Sequence, residues 1–205
     1  MSPRSYKSAR REEAKKETLR QIIMATVELH AEKGTLATTH ADIAKRANVA
    51  IPTVYKYFPS PKTLLPACIG HVHSLAPSFD SNVFSTTQDI PKRIALLVHG
   101  VFKNHSYSAP WLRWSVYEAA FVSEIKMFLD QGRASYLDLI QKAFLPGFSS
   151  PPPQQLMMIA YSLLDFPSWK FLTDTSALPQ EQIEGMVTDA LVSLFRHYKN
   201  KEVNP

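Results

Sequence analysis

The stretch Thr39–Phe58, THADIAKRANVAIPTVYKYF, decides how this chain is read. Thr39 stands where a helix N-cap belongs, ahead of Ile43-Ala44. Asp42, three residues on, is placed to complete a capping box, a position where Glu or Gln is the usual partner. The helix so begun is short, because Ala47-Asn48 closes it, and Asn tolerates the left-handed backbone of a tight turn. A second short helix starts around Ala50, with Pro52 in its first turn, where a missing N–H costs nothing. It ends near Phe58. Two short helices joined by a turn of roughly three or four residues make a helix-turn-helix, whose second helix fits a major groove about 12 Å wide. Ile43, Ala44, Ala47, Val49 and Val54 are the small apolar residues suited to locking the pair. Ile51, Thr53, Tyr55, Lys56 and Tyr57 face outward, and hydroxyls with an ammonium at that spacing suit phosphate oxygens. The free N–H groups of the second helix's first turn suit an anion too. The competing reading is an ordinary helical hairpin in which the two tyrosines only pack.

Working outward, Leu19, Ile22, Ile23, Thr26, Val27 and Leu29 predict a helix from about Ala14 to Lys33, ended by Gly34. Residues 1–13 are polar and aperiodic. Their basic residues Arg4, Lys7, Arg10 and Arg11 read either as an arm along the minor groove or as a solvated tail. Beyond the motif, Ser60-Pro61 opens a fourth helix to about Ser74, and a Ser-, Thr- and Pro-rich connection follows to Thr87. Further helices are expected from Ile90, over Pro110–Phe121, Ser123–Phe144, Gln154–Leu172 and Gln180–Lys199, with a kink at Asp165-Phe166-Pro167. No run alternates apolar and polar residues, so the fold class is all-α.

Charge divides the chain. Residues 1–62 hold 12 Lys/Arg against 6 Asp/Glu, whereas 63–205 hold 11 against 12. The excess of +6 sits entirely in the first third, as expected of a module that meets a polyanion; a basic tail kept for solubility is the plainer alternative. A single cysteine, Cys68, excludes a disulfide framework and a cysteine-rich zinc site. No stretch approaches the roughly 20 apolar residues of a membrane span. A cytoplasmic protein that makes no membrane contact is the expectation.

The motif resembles the DNA-binding region of the TetR family of transcriptional regulators. The residues that carry the resemblance are Thr39, Ile43-Ala44, Val49, Thr53-Val54-Tyr55, Tyr57-Phe58 and Ser60, and it extends over about residues 15–65. Three positions depart from the common pattern: Asn48 replaces a turn glycine, Ile51 stands where a polar residue is frequent, and Pro61 displaces a lysine to Lys62. An apolar Ile51 suits a thymine methyl. The resemblance implies three parts: a flexible basic arm (1–13), a three-helix helix-turn-helix DNA-binding domain (14–62), and a larger helical effector-binding and dimerisation domain (63–205). It implies DNA contacts from Thr39, Ala50, Ile51, Pro52, Thr53, Tyr55, Lys56, Tyr57 and Lys62. The expected partners are double-stranded DNA, a second copy of the chain, and a small organic effector that releases a repressor from a palindromic operator.

In the last helix Ile183, Met186, Val187, Ala190, Leu191, Leu194, Phe195 and Tyr198 form a wide apolar stripe. Ile183, Val187, Leu191 and Leu194 are the expected dimer contacts, although the same stripe would serve the chain's own core. By resemblance an effector pocket lies among the middle helices, with His99, Phe102, Trp114, Tyr117, Phe121 and Tyr136 as candidates; aromatics at helical spacing also serve a core. An enzyme is not expected. The chain has no glycine-rich phosphate loop, nucleophile elbow or metal-ligand cluster, and His71 and His73 are two apart and point to different helix faces. No catalytic residue, metal or cofactor is assigned.

Overall fold

A computed structural model of the protein describes residues 3–203. Every regular element among them is helical: α1 (Pro3–Lys33), α2 (His40–Arg46), α3 (Ile51–Tyr57), α4 (Pro61–Leu75), α5 (Ile90–Glu118), α6 (Ser123–Phe144), α7 (Gln154–Leu164), α8 (Phe166–Thr175) and α9 (Gln180–Val203), with 3-10 turns at Ser81–Thr86 and Leu145–Gly147. No helix among the described residues is long and apolar enough to cross a membrane. The chain forms two compact units, one of Met1–Ala76 with Pro110–Leu129 and one of Pro77–Ala109 with Asp130–Pro205. A single division at residue 62 cannot express this arrangement, because α4 stays with the first unit and a later segment returns to it.

In the first unit, Ile22, Ala25 and Leu29 of α1 meet Ile43 and Ala44 of α2, Val54 of α3, and Leu64 and Cys68 of α4 in one buried cluster. Alanines at these contacts let short helices approach closely, and each full-sized side chain buried contributes roughly 1.5–3 kcal/mol. Gly34 ends the packed part of α1 with φ 82°, donating its N–H to the His30 carbonyl at 3.0 Å. A Cβ there would stand 2.6 Å from a Glu118 carboxylate oxygen, so any larger residue is excluded by both backbone and space.

Three helix boundaries differ from expectation. α1 begins at Pro3 and not Ala14. Residues 8–17 are exposed and carry no apolar stripe, but Arg, Lys, Glu and Ala are strong helix formers, and Glu13–Lys16 (3.0 Å) and Glu17–Arg20 (2.8 Å) pairs support the helix. The side chains of Arg4 and Lys7 in the expected arm lie outside the described residues. α5 runs unbroken through Pro110, where a separate helix was expected. The proline removes one backbone bond, yet the residues beyond it are anchored: the Trp111 and Trp114 indoles donate to the carbonyls of Val27 (2.9 Å) and Ala31 (3.1 Å) in α1. Conversely, the kink expected at Asp165-Phe166-Pro167 is a full break between α7 and α8. The Asp165 carboxylate takes the N–H of Ser168 at 3.0 Å and caps α8, with Pro167 in its first turn.

The second unit is pinned by the buried Arg93, whose guanidinium donates to the carbonyls of Phe84 and Thr87 and, in the last turn of α6, of Lys142 and Ala143. Leu156, Ala160 and Leu164 of α7 and Ile183, Val187 and Leu191 of α9 are buried where those helices pack.

Candidate nucleic-acid interface

Thr39 and Asp42 form the capping box that starts α2: the Asp42 N–H donates to Thr39 Oγ1 (3.1 Å) and the Thr39 N–H to Asp42 Oδ2 (3.0 Å). The shorter Asp suffices because Lys33 Nζ reaches the same oxygen at 2.8 Å and ties α2 to α1. The hydrogen bond from Lys33, with those from Thr39, holds the Asp42 carboxyl well below the usual carboxylate range. At the other end of α2, Arg46 forks onto Glu32 (2.8 and 2.9 Å) and reaches Glu28 (3.2 Å). Asn48 carries the chain through the turn at φ 53°, and Val49 N–H returns to the Ala44 carbonyl at 3.0 Å. The cap and the two ion-pair clamps fix α2 against α1, and the left-handed Asn48 with the Val49–Ala44 bond sets the turn from α2 into α3.

α3 is divided by burial. Val54 is 0% exposed, whereas Ile51 is 45% and Tyr55 51% exposed. Ala50, Pro52 and Lys56 are exposed, and so are Thr39 ahead of α2 and Lys62 in the first turn of α4. Thr53 and Tyr57 are half-buried. The Tyr57 ring packs against the first unit's core, so packing accounts for part of its presence; the Lys56 ammonium lies 5.6 Å from its centroid. Lys33 and Arg46 are taken by acids, while the exposed Lys45, Lys56 and Lys62 make no ion pair among the described residues. Three exposed ammonium groups on α2, α3 and the start of α4 are thus not tied up by acids.

Sequence reasoning missed His40. Its ring stacks flat on Tyr55, with centroids 4.3 Å apart and planes within 3°, and its Nε2 donates to the Phe58 carbonyl at 3.0 Å. The imidazole thereby orients the tyrosine from the neighbouring helix. Periodicity within one helix carries no sign of a contact made across a turn.

The six effector candidates fall three to each unit. Trp114, Tyr117 and Phe121 belong to the first unit, and His99, Phe102 and Tyr136 to the second. Tyr117 and Phe121 are 77% and 79% exposed, and Phe102 is wholly buried. His99 is exposed and pairs with Glu184 at 3.0 Å. Phe102 and Tyr136 meet around His105, a buried residue, with centroids 6.3 and 5.6 Å from its ring. The Tyr136 hydroxyl donates to Asn104 Oδ1 at 3.2 Å, and burial pushes it up to about 12.

The expected dimer residues lie mostly inward. Ile183, Val187 and Leu191 are buried inside their own chain, and Leu194 is half-buried. A continuous apolar stripe does not disclose which edge faces inward. The exposed apolar residues of these helices are Met158 and Ile159 of α7 and Met186 of α9. Among the described residues no group of three or more His, Cys, Asp or Glu side chains is placed to hold a metal ion.

One more feature of the first unit lies at the α1–α2 connection. Glu118 is buried; one carboxylate oxygen accepts the Leu36 N–H at 2.8 Å, and the other has no partner. His30 is buried nearby, and desolvation pushes it down to about 4 against the opposing pull of the Glu118 charge.

Residues 22–68 match the family model described as bacterial regulatory proteins, tetR family. The HTH-type transcriptional regulator LuxR of Vibrio harveyi is 28% identical over 127 residues, 61% of this chain and 62% of that protein, so the match spans less than two thirds of the relative's length. Two solved structures share the fold. One is a TetR-family regulator from Rhodococcus sp. (TM-score 0.62, 17% identity, 87% of this chain and 99% of that one). The other is the TetR-like regulator LfrR from Mycobacterium smegmatis in complex with proflavine (TM-score 0.53, 24% identity, 88% and 97%). The capped α2, the Asn48 turn and the half-exposed α3 all lie within the stretch that matches the tetR-family model, and the chain shares its fold with these TetR-family structures.

Proposed function

We propose that the protein is a cytoplasmic transcriptional regulator that binds duplex DNA through α3 as a homodimer. In this reading it is a repressor, released from a palindromic operator by a small organic effector. The observation that carries this reading is the division of α3, with Val54 locked into the core while Ala50, Ile51, Pro52, Tyr55 and Lys56 stay accessible. Thr39, Thr53, Tyr57 and Lys62 flank that surface, and hydroxyls and ammonium groups in this arrangement serve phosphates, while Ile51 at the helix tip serves a base edge. The match of residues 22–68 to the tetR-family model, the name of the Vibrio harveyi relative and the proflavine bound to the Mycobacterium smegmatis protein support the same reading.

Two recognition helices about 34 Å apart meet successive major grooves, so a twofold dimer suits the task. The exposed Met158, Ile159 and Met186 give α7 and α9 an apolar face for a four-helix bundle with a second copy. Effector control requires a conformation with different half-site spacing and a ligand that prefers it. α5 is the candidate for coupling, since residues 90–109 build the second unit while Trp111, Trp114 and Glu118 hold the end of α1 and the following turn.

Selection from random duplexes, followed by titration of the recovered site at several salt concentrations, tests the reading. A palindrome is expected, with log affinity falling by about 0.9 per phosphate contact for each log unit of salt. No enrichment and no salt slope would remove DNA binding from the account.

A further inference from the structure

We propose that the second unit binds a small neutral aromatic carrying a hydroxyl, such as a monocyclic phenol, with that hydroxyl shared between His105 Nδ1 and Trp169 Nε1. The proposal rests on the effector-binding reading above and names the chemistry its ligand would have.

His105 is 1% exposed and Trp169 7%, and neither His105 Nδ1 nor Trp169 Nε1 has a hydrogen-bond partner. Their rings are adjacent, with centroids 5.8 Å apart. Buried polar atoms left unpaired are costly, and two on neighbouring rings call for an explanation. The local sequence sets their chemistry. In a continuous helix the Leu164 carbonyl would take the N–H of Ser168, but Asp165 takes that N–H instead. The freed carbonyl faces His105 Nε2 at 2.8 Å. A carbonyl only accepts, so Nε2 carries the proton; burial lowers the ring's basicity, which keeps it neutral and leaves Nδ1 as a bare acceptor. The indole Nε1–H only donates. One group that donates to the first and accepts from the second is a hydroxyl.

The surroundings select the rest of the ligand. Tyr136 and Phe166 present their rings nearly edge-on to His105, at 85° and 74° and 5.6 Å each, the geometry in which a further aromatic ring is favoured. Charge is disfavoured: Asp165 brings a negative field toward His105, and the nearby Arg133 is already engaged with Tyr161 and faces Asp130 at 3.6 Å. A carboxylate would be buried against that field without a free cation, and the Asp165 carboxylate is itself committed to the Ser168 N–H. A phenol is neutral at pH 7 and needs no counter-charge.

The full-length protein is titrated by calorimetry with p-cresol, 4-methylanisole and p-xylene. The set keeps ring and size while changing the polar group from donor-acceptor to acceptor to none. A purely apolar site prefers p-xylene, because a buried hydroxyl forfeits its water. Here p-cresol is expected to bind at least about tenfold tighter than p-xylene, with the ether between. Trp169→Phe, which removes the N–H together with part of the ring surface, should cut the preference for p-cresol over p-xylene about tenfold, the ratio cancelling the packing loss that both ligands feel. His105→Phe should do the same and serves as the second variant. Equal affinities, a p-xylene preference, or no binding by any of the three overturns the assignment. Operator titration with p-cresol reads the underlying hypothesis separately. Preferential binding that leaves DNA affinity unchanged would remove effector release and keep the hydroxyl site; release of DNA only by compounds lacking a hydroxyl would do the reverse.

Discussion

Acid should loosen the DNA-binding unit through one histidine. His30 is buried on α1, and desolvation holds it near 4, whereas an unfolded histidine titrates near 6.5. Between those values the unfolded chain takes up a proton that the folded chain refuses. The stabilisation is therefore complete above pH 6.5 and is lost as pH falls toward 4. The gap corresponds to roughly 3 kcal/mol in full, of which about 2 kcal/mol is gone by pH 5. That value already includes the Glu118 charge, which favours the protonated ring. The assay is native-state hydrogen exchange of the α2 and α3 amides at pH 7 and pH 5, corrected for intrinsic rates, in the natural protein and in His30→Gln. The variant cannot titrate at this position, so any constant cost of the substitution cancels in the pH difference. The natural protein should lose about 2 kcal/mol more protection than the variant. Parallel losses in the two proteins would refute the claim that His30 is held neutral by burial.

Tyr55→Phe should weaken operator binding about tenfold, the worth of one hydroxyl-to-phosphate bond, with an unchanged melting temperature because the ring still stacks on His40; unaltered affinity would take the hydroxyl out of the interface. Ile51→Ala should flatten the base preference recovered by selection more than it lowers affinity for random duplex, and an identical recovered site would contradict base reading by the helix tip. At the turn, Asn48→Ala should destabilise the protein by about 1 kcal/mol while Asn48→Gly stays within about 0.5 kcal/mol, because the backbone sits at φ 53°; urea melts that rank Ala above Gly would exclude a left-handed residue there. Lys56→Ala should reduce the salt slope of DNA binding by about 0.9, and an unchanged slope would mean that this ammonium meets no phosphate.

Much of the interface was legible because it is written in short-range chemistry. Thr39, Asp42, Asn48 and Pro52 each act within a few residues of their own position, through a cap, a left-handed bend or a missing N–H. Their roles follow from residue type and spacing alone, and so do the burial of Val54 and the exposure of Tyr55 on one helix turn. The aromatic effector candidates were less legible. Phe102 and Tyr117 sit at similar helical spacing, yet one is wholly buried and the other largely exposed, and no local rule separates them.

The helical class, the helix-turn-helix, the resemblance to the TetR family and the excess of positive charge in residues 1–62 are all readable from residue order, because periodicity, caps and turn residues are local and additive. Only the tertiary structure decided that α5 passes through Pro110, that Ile183, Val187 and Leu191 face their own core, that His40 braces Tyr55, and that His105 and Trp169 bring two unpaired polar atoms together. Each of these depends on what a distant segment places opposite a residue. A proline tolerated because indoles anchor the next turn, or a stripe resolved into inner and outer edges by a neighbouring helix, is fixed by long-range packing, which has no signature in the spacing of residues along one helix.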